Sequence, residues 1–154
     1  MTGQKPRGLP PKKTARALLQ YWKLFEAHAV ERVLANYDDS VIAFGAGHSV
    51  YEDETLFARV QQALAPCPYV ILLLPTPDLD QSVRVLNGRF KRLRNREGGP
   101  VNPQILDVNE QFVRHEANFR LATIRVYTAG KTPDETADEI LQRMATTTGG
   151  ERSI

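Results

Sequence analysis

Val41-Ile-Ala-Phe-Gly-Ala-Gly-His48 is a short apolar run that stops at two glycines, with the acidic stretch Glu52-Asp-Glu54 just beyond. A continuous apolar run of this length suits a strand buried on both faces, as in a parallel α/β sheet. Glycine at the carboxyl end of such a strand permits a tight turn and the close approach of a ligand. In open α/β sheets ligands sit at that edge. Gly45 and Gly47 are therefore the first candidate site residues.

Working outward, Ala17, Leu18, Tyr21, Trp22, Phe25, Ala29, Val33 and Leu34 recur at three- and four-residue steps. They predict a helix from Thr14 to about Tyr37 with one broad apolar face. On the other side, Asp53 or Thr55 caps a helix reaching about Leu64, with Leu56, Phe57, Val60 and Leu64 facing inward. Tyr69-Val-Ile-Leu-Leu-Leu74, bracketed by prolines, reads as a second fully apolar strand. Asp78 to Asn87 reads as a helix with Leu79, Val83 and Leu86 on one side. Gly88 to Gln104 is rich in Gly, Pro, Asn and Arg and reads as a long mobile loop. Val108 to Leu121 is again helical, and Thr123-Ile-Arg-Val-Tyr127 alternates as a strand nearer an edge does. Thr132-Pro-Asp-Glu135 starts a last helix, with Thr at N-cap, Pro at N1 and Glu at N3, running to about Met144.

The alternation predicts an α/β domain over residues 14–145 with a three-strand parallel layer and right-handed crossovers. Residues 1–13, with Pro6, Pro10 and Pro11 among scattered cations, read as a flexible basic arm, and 146–154 as a disordered tail. At 154 residues the chain is one domain long. A net charge of +2 is too weak to imply nucleic acid. The cations are not interleaved with aromatic residues as in a single-strand binder. Nucleic-acid binding is left as a weak third option. The longest apolar run, Tyr69 to Leu74, is too short for a bilayer, and the N-terminus lacks the apolar core of a secretory signal. The single cysteine, Cys67, forms no internal disulfide, which fits a reducing cytoplasm, and no base stands beside it. His28, His48 and His115 do not have metal-ligand spacing, so no metal site is expected.

Four segments, in order, carry a likeness: Trp22-Lys-Leu-Phe-Glu26, Val41 to Gly47, Arg89 to Pro103, and Arg114-His-Glu-Ala-Asn-Phe-Arg-Leu-Ala122. Together, over roughly Tyr21 to Met144, the chain resembles the shikimate kinase family of the P-loop nucleoside-monophosphate-kinase-like superfamily. The resemblance implies a three-layer parallel-sheet kinase fold and phosphorylation of a small hydroxyl substrate by ATP with Mg²⁺. It puts Glu26 beside the substrate and Lys23 at a carboxylate-binding arginine. Lysine keeps that charge but loses the planar fork. Gly45, Ala46 and Gly47 stand where the family has three glycines whose backbone contacts the acceptor. Arg114 falls on an arginine that helps hold the substrate carboxylate, with Asn118 in place of a tyrosine. Residues 88–104 stand where the family has its lid. Arg89, ahead of Arg92, Arg94 and Arg96, is the catalytic and nucleotide-side candidate, since arginine stabilises charge on a transferring phosphate. Lys131 and Pro133 lie in the loop that packs on the adenine. The blander readings are a solvated Lys23–Glu26 helix pair and a solvated basic loop.

The phosphate loop itself has no match. Gly8-Leu-Pro-Pro-Lys-Lys-Thr14 is one residue short of G-x-x-x-x-G-K-[ST] and lacks its second glycine and preceding strand. Its adjacent prolines also remove amide donors. The family's carboxylate pair has no counterpart before Thr14. The fold is therefore expected to be N-terminally incomplete and inactive as a kinase as written. An exposed sheet would be covered by another subunit or a missing N-terminal segment. The alternative is a non-catalytic anion-binding or protein-interaction α/β domain.

Overall fold

Strong local caps fix where most elements begin in the computed structural model, which describes residues 15–149, with side chains over 21–147. Helix α1 spans Ala15–Asn36, and a single 3₁₀ turn covers Ala46–Ser49. Helix α2, Glu54–Leu64, is capped by Asp53, whose Oδ1 accepts from the amides of Thr55 and Leu56 at 2.8 and 3.1 Å. Strand β1, Ile71–Leu74, leads into α3, Leu79–Arg96, capped by Asp78. Helix α4, Pro103–Arg114, follows Asn102 at its cap with proline at the first turn. His115 ends α4 and caps the short α5, Glu116–Leu121. Strand β2, Ile124–Tyr127, precedes α6, Pro133–Gly149. There the Thr132 hydroxyl accepts from Glu135 N while Glu135 accepts from Thr132 N, the reciprocal capping box read from the sequence.

The two strands pair in parallel, Ile71 against Ile124 through Leu74 against Tyr127. The protein is thus α/β, mostly helical, with a small two-strand parallel sheet. It does not have the three-layer P-loop-kinase architecture or the third strand expected from Val41–Phe44. That stretch forms no strand, and its backbone makes no bond to backbone among the described residues. Val41 is fully exposed. An extended apolar run becomes a strand only when a neighbour supplies the ladder. One edge of β1 is paired to β2; Val41–Phe44 makes no ladder bond to the open edge, and no other strand lies among the described residues.

Two further expectations change. Residues 88–104 are not a lid-like loop, because α3 continues to Arg96 and α4 starts at Pro103. Gly88 sits inside α3, where one glycine among good helix formers costs only about 1 kcal/mol. The terminator is Gly98, at φ 68°, where only glycine is at ease. Gly99 N donates to Arg94 O and Gly98 N to Asn95 O, a Schellman end. At Gly88 a Cβ would meet only Arg92 Nη1, at 3.6 Å. Gly88→Ala is therefore expected to raise the unfolding free energy by about 0.5–1 kcal/mol in urea melts; a loss would show that the glycine is needed there.

The face of α1 is also turned. Lys23, Ala27 and Val30 are buried, with Leu34 packed beside them, whereas Tyr21, Trp22 and Phe25 are about half exposed and stack on one another. Small Ala27 and Val30 let α1 lie close to the core cluster containing Phe57 and Val60 of α2. Arg59 on α2 grips Glu31 on α1 through two bonds of 2.8 and 2.7 Å. A second cluster joins Leu74 of β1, Val83 of α3 and Val113 of α4. Helix α6 runs past Met144 into the region expected as tail. The expected basic arm, 1–13, and the chain end, 150–154, lie outside the described residues. Among the described residues no helix is long and apolar enough to cross a membrane.

The hydrogen bonds from Arg59 hold Glu31 below the usual carboxylate range, although partial burial opposes them. A carboxylate whose folded value lies below its unfolded value, about 4.3, stabilises the fold above that pH. The contribution is lost as pH falls through the folded value. Stability should therefore drop in acid, and Arg59→Gln should flatten that drop while lowering stability at neutral pH. Unfolding free energies at stepped pH test this; a variant that tracks the wild type throughout would refute it.

Candidate functional site

After Gly45 the chain winds one 3₁₀ turn, with His48 N donating to Gly45 O at 3.0 Å and Val50 N to Gly47 O at 3.4 Å. Helix α1 lays Lys23 against this turn. Its ammonium donates to Gly47 O at 2.6 Å and to Glu26 Oε2 at 2.7 Å. The Lys23 side chain is only 6% exposed, that of Glu26 21%. The ammonium also lies 5.3 Å from the Tyr51 ring centroid and 5.5 Å from that of Phe112, within cation–π range. A Cβ on Gly47 would stand 2.8 Å from Glu26 Oε1. A side chain there would have to push aside the Glu26 carboxylate, the far end of a flexible side chain. Three of the residues singled out in the sequence, Lys23, Glu26 and Gly47, thus meet. Gly45 and Ala46 are exposed in the same turn.

Sequence reasoning missed what braces the turn from below. Ser49 Oγ donates to Asn118 Oδ1 at 2.6 Å, and Asn118 Nδ2 donates to Phe112 O at 2.6 Å. Asn118, buried on α5, so links the glycine turn to the end of α4. Its place in the Arg114–Ala122 segment was the only hint, and that segment points to a tyrosine there.

Tyr51 is buried beneath Lys23, and its hydroxyl has no hydrogen-bond partner among the described residues. Burial, followed by the negative charges of Glu26 and Glu31, pushes its ionisation well above the ordinary phenol range. A buried hydroxyl without a partner costs about 1–3 kcal/mol in desolvation. Tyr51→Phe should keep or raise stability, by up to about 1 kcal/mol; a clear loss in denaturant melts would mean that the hydroxyl is bonded.

The other residues singled out lie elsewhere. The Arg114 guanidinium is held by Asp80 at the start of α3 and by Glu110 on its own helix at 2.8 Å. Those bonds keep Asp80 below the usual carboxylate range and Arg114 above its own. They run to α3 and α4, not to the glycine turn. Arg89 projects from the exposed side of α3 without an ion-pair partner among the described residues. Lys131 donates to Tyr127 O at 2.8 Å and to Glu139, and Glu135 occupies the amide of Thr132, just before Pro133.

These residues do not fit ATP and Mg²⁺. Gly130-Lys131-Thr132 follows a strand and precedes a helix, as the end of a phosphate loop does. The first glycine of that motif is replaced by Arg125, and both the lysine and the threonine amide are already bonded. The adjoining groove is lined by Glu135, Asp138 and Glu139 against Lys131 and Arg143, and both cations are already held by Glu139, which leaves no free positive charge for a polyphosphate. Among the described residues no group of three His, Cys, Asp or Glu has the geometry to hold a metal. No protein-family model, no curated protein and no solved structure matches the chain.

Proposed function

We propose that the Gly45–Ser49 turn, with Lys23 and Glu26 beneath it, is the acceptor side of a small-molecule kinase pocket of the shikimate-kinase kind. The chain as written does not itself transfer a phosphoryl group. The supporting observation is the convergence of Lys23, Glu26 and Gly47 through two short hydrogen bonds. They are the positions that the resemblance gives to the acceptor. Lys23 is a positioning residue in this reading, because its charge is spent on Glu26 and Gly47 O. Glu26, fixed by Lys23 and still one-fifth exposed, accepts a hydrogen bond from a substrate hydroxyl. The amides of Ala46 and Gly47 open the 3₁₀ turn, where no intrahelical acceptor is available. The paired charges cancel, so hydroxyl recognition outweighs attraction for an anion.

The test is titration with a panel of small hydroxylated acids, shikimate among them, followed by amide chemical shifts. Shifts that concentrate at Gly45 to Ser49 and vanish in Gly47→Val are expected. No local shift into the millimolar range would sink the acceptor reading. ADP formation from ATP with Mg²⁺, lost in Gly47→Val, would overturn the absence of turnover.

A second reading is a non-catalytic binding domain whose sheet is completed by another strand. It is favoured by the unbonded Val41–Phe44 backbone and by Leu73, 52% exposed on β1. Parallel strands are normally buried on both faces. Concentration-dependent self-association in sedimentation, abolished by Leu73→Lys, is the expected sign; a monomer at all concentrations tells against a second copy as the cover.

A further inference from the structure

Helix α3 turns a stretch that reads as a basic loop into an ordered cationic face. Between residues 84 and 96 lie Arg84, Arg89, Lys91, Arg92, Arg94 and Arg96, and no carboxylate. The stretch is helical throughout. Arg89, Arg92 and Arg96 stand at i, i+3 and i+7 and so share one face. Their backbones rise by about 4.5 and then about 6 Å. The buried side of the helix is elsewhere, at Leu79, Val83 and Leu86.

No acid forms an ion pair with these three among the described residues, and Arg84 and Lys91 of the same helix are likewise without one. Arg59, Arg94, Arg114, Arg120 and Arg143 each hold a carboxylate. Arg89, Arg92 and Arg96 are exposed and have no such partner among the described residues. The acids that flank this stretch in sequence are engaged elsewhere: Glu97 by Arg94 and Asp80 by Arg114. Attraction to the negative end of a helix accounts for Arg94 and Arg96 in the last turn, but not for Arg89 and Arg92, which precede it. Arginine is also the residue whose fork matches phosphate oxygens.

We propose that the Arg89–Arg92–Arg96 face of α3 docks on the phosphate backbone of a nucleic-acid duplex without reading its sequence. A duplex suits it better than a single strand. The face carries no exposed aromatic ring on which bases could stack, and stacking is what single-strand sites add to charge. A duplex presents about one charge per 1.7 Å, a line that three spaced cations can follow. The proposal is independent of the acceptor reading, which rests on α1 and the glycine turn.

Fluorescence anisotropy with a labelled mixed-sequence DNA duplex tests it on the full chain. Three phosphate contacts predict an affinity falling about 40-fold between about 50 and about 200 mM salt. Arg89→Gln/Arg92→Gln/Arg96→Gln should bind at least about tenfold more weakly, with a salt slope shallower by about 2 to 3. Unchanged circular dichroism would show that α3 still folds, and the matching triple lysine variant should keep the wild-type slope. Wild-type-like binding by the glutamine variant overturns the proposal. So does binding that is lost only when Lys5, Arg7, Lys12 and Lys13 are changed to Gln. Absence of binding at low salt, or competition by tripolyphosphate at equal phosphate concentration, overturns it as well.

Discussion

Lys23→Met should lower the unfolding free energy by about 3 kcal/mol, at the lower end of the range for removing one partner of a buried ion pair. Two things are lost together. Glu26 keeps its charge with most of its water gone, and Gly47 O loses a donor at 2.6 Å. The low end applies because Glu26 is still 21% exposed and can recover some solvation. Methionine fills the space between the Tyr51 and Phe112 rings, so the loss reports charge rather than a cavity. Adding Glu26→Gln should return much of the stability, since no charge is then left without a partner. A urea double-mutant cycle measures both changes. A Lys23→Met loss below about 1 kcal/mol would show that the pair is effectively solvated, and that the turn is held by something else.

Phe57→Ala should cost about 3–5 kcal/mol, as for other fully buried rings. Phe57 is 1% exposed and lies in the cluster of Ala27, Val30, Tyr51, Val60, Ala117 and Leu121. Its ring also carries the Arg120 guanidinium 3.8 Å above its centroid. Truncation opens a void in this cluster, and it removes the surface on which Arg120 rests. A fall in Tm of about 10 °C is expected for a chain of this size. Phe57→Leu, which keeps most of the volume, should cost less than half as much. Equal losses for the two variants would mean that the ring's edge contacts, not its bulk, matter there.

Local chemistry was the legible part of this chain. Asp53 and the Thr132–Glu135 box cap their helices because cap bonds reach only two or three residues along the sequence. The apolar run Ile71–Leu74 and the alternating Ile124–Tyr127 became strands because each found the other. Val41–Phe44 is as apolar as the first of them but has no neighbouring strand among the described residues, and periodicity carries no information about neighbours. Helix α1 shows a related limit. Counting apolar residues favours the Tyr21–Trp22–Phe25 stripe, yet the buried stripe is the one with Ala27 and Val30, where close approach is possible. Gly88 to Gln104 reads as a loop from its Gly, Pro, Asn and Arg content, yet the helix formers between Gly88 and Arg96 outweigh one glycine and carry α3 through. At the site, the pairing of Lys23 with Glu26 was visible as an i,i+3 spacing, but the Gly47 carbonyl that uses up the lysine was not. The Ser49–Asn118 brace spans 69 residues, a separation that local spacing does not reveal.

His115 occupies a single extended position, φ −67° and ψ 127°, between two helices. Just before it, Val113 belongs to the cluster with Leu74 and Val83; just after it, Ala117 and Leu121 belong to the cluster with Phe57. The chain crosses from one core to the other within a few residues. Fraying of the last turn of α4 is therefore transmitted directly to the seat of α5. The two cores are expected to unfold as one unit, with amide exchange finding their slowest protons opening together rather than in two stages.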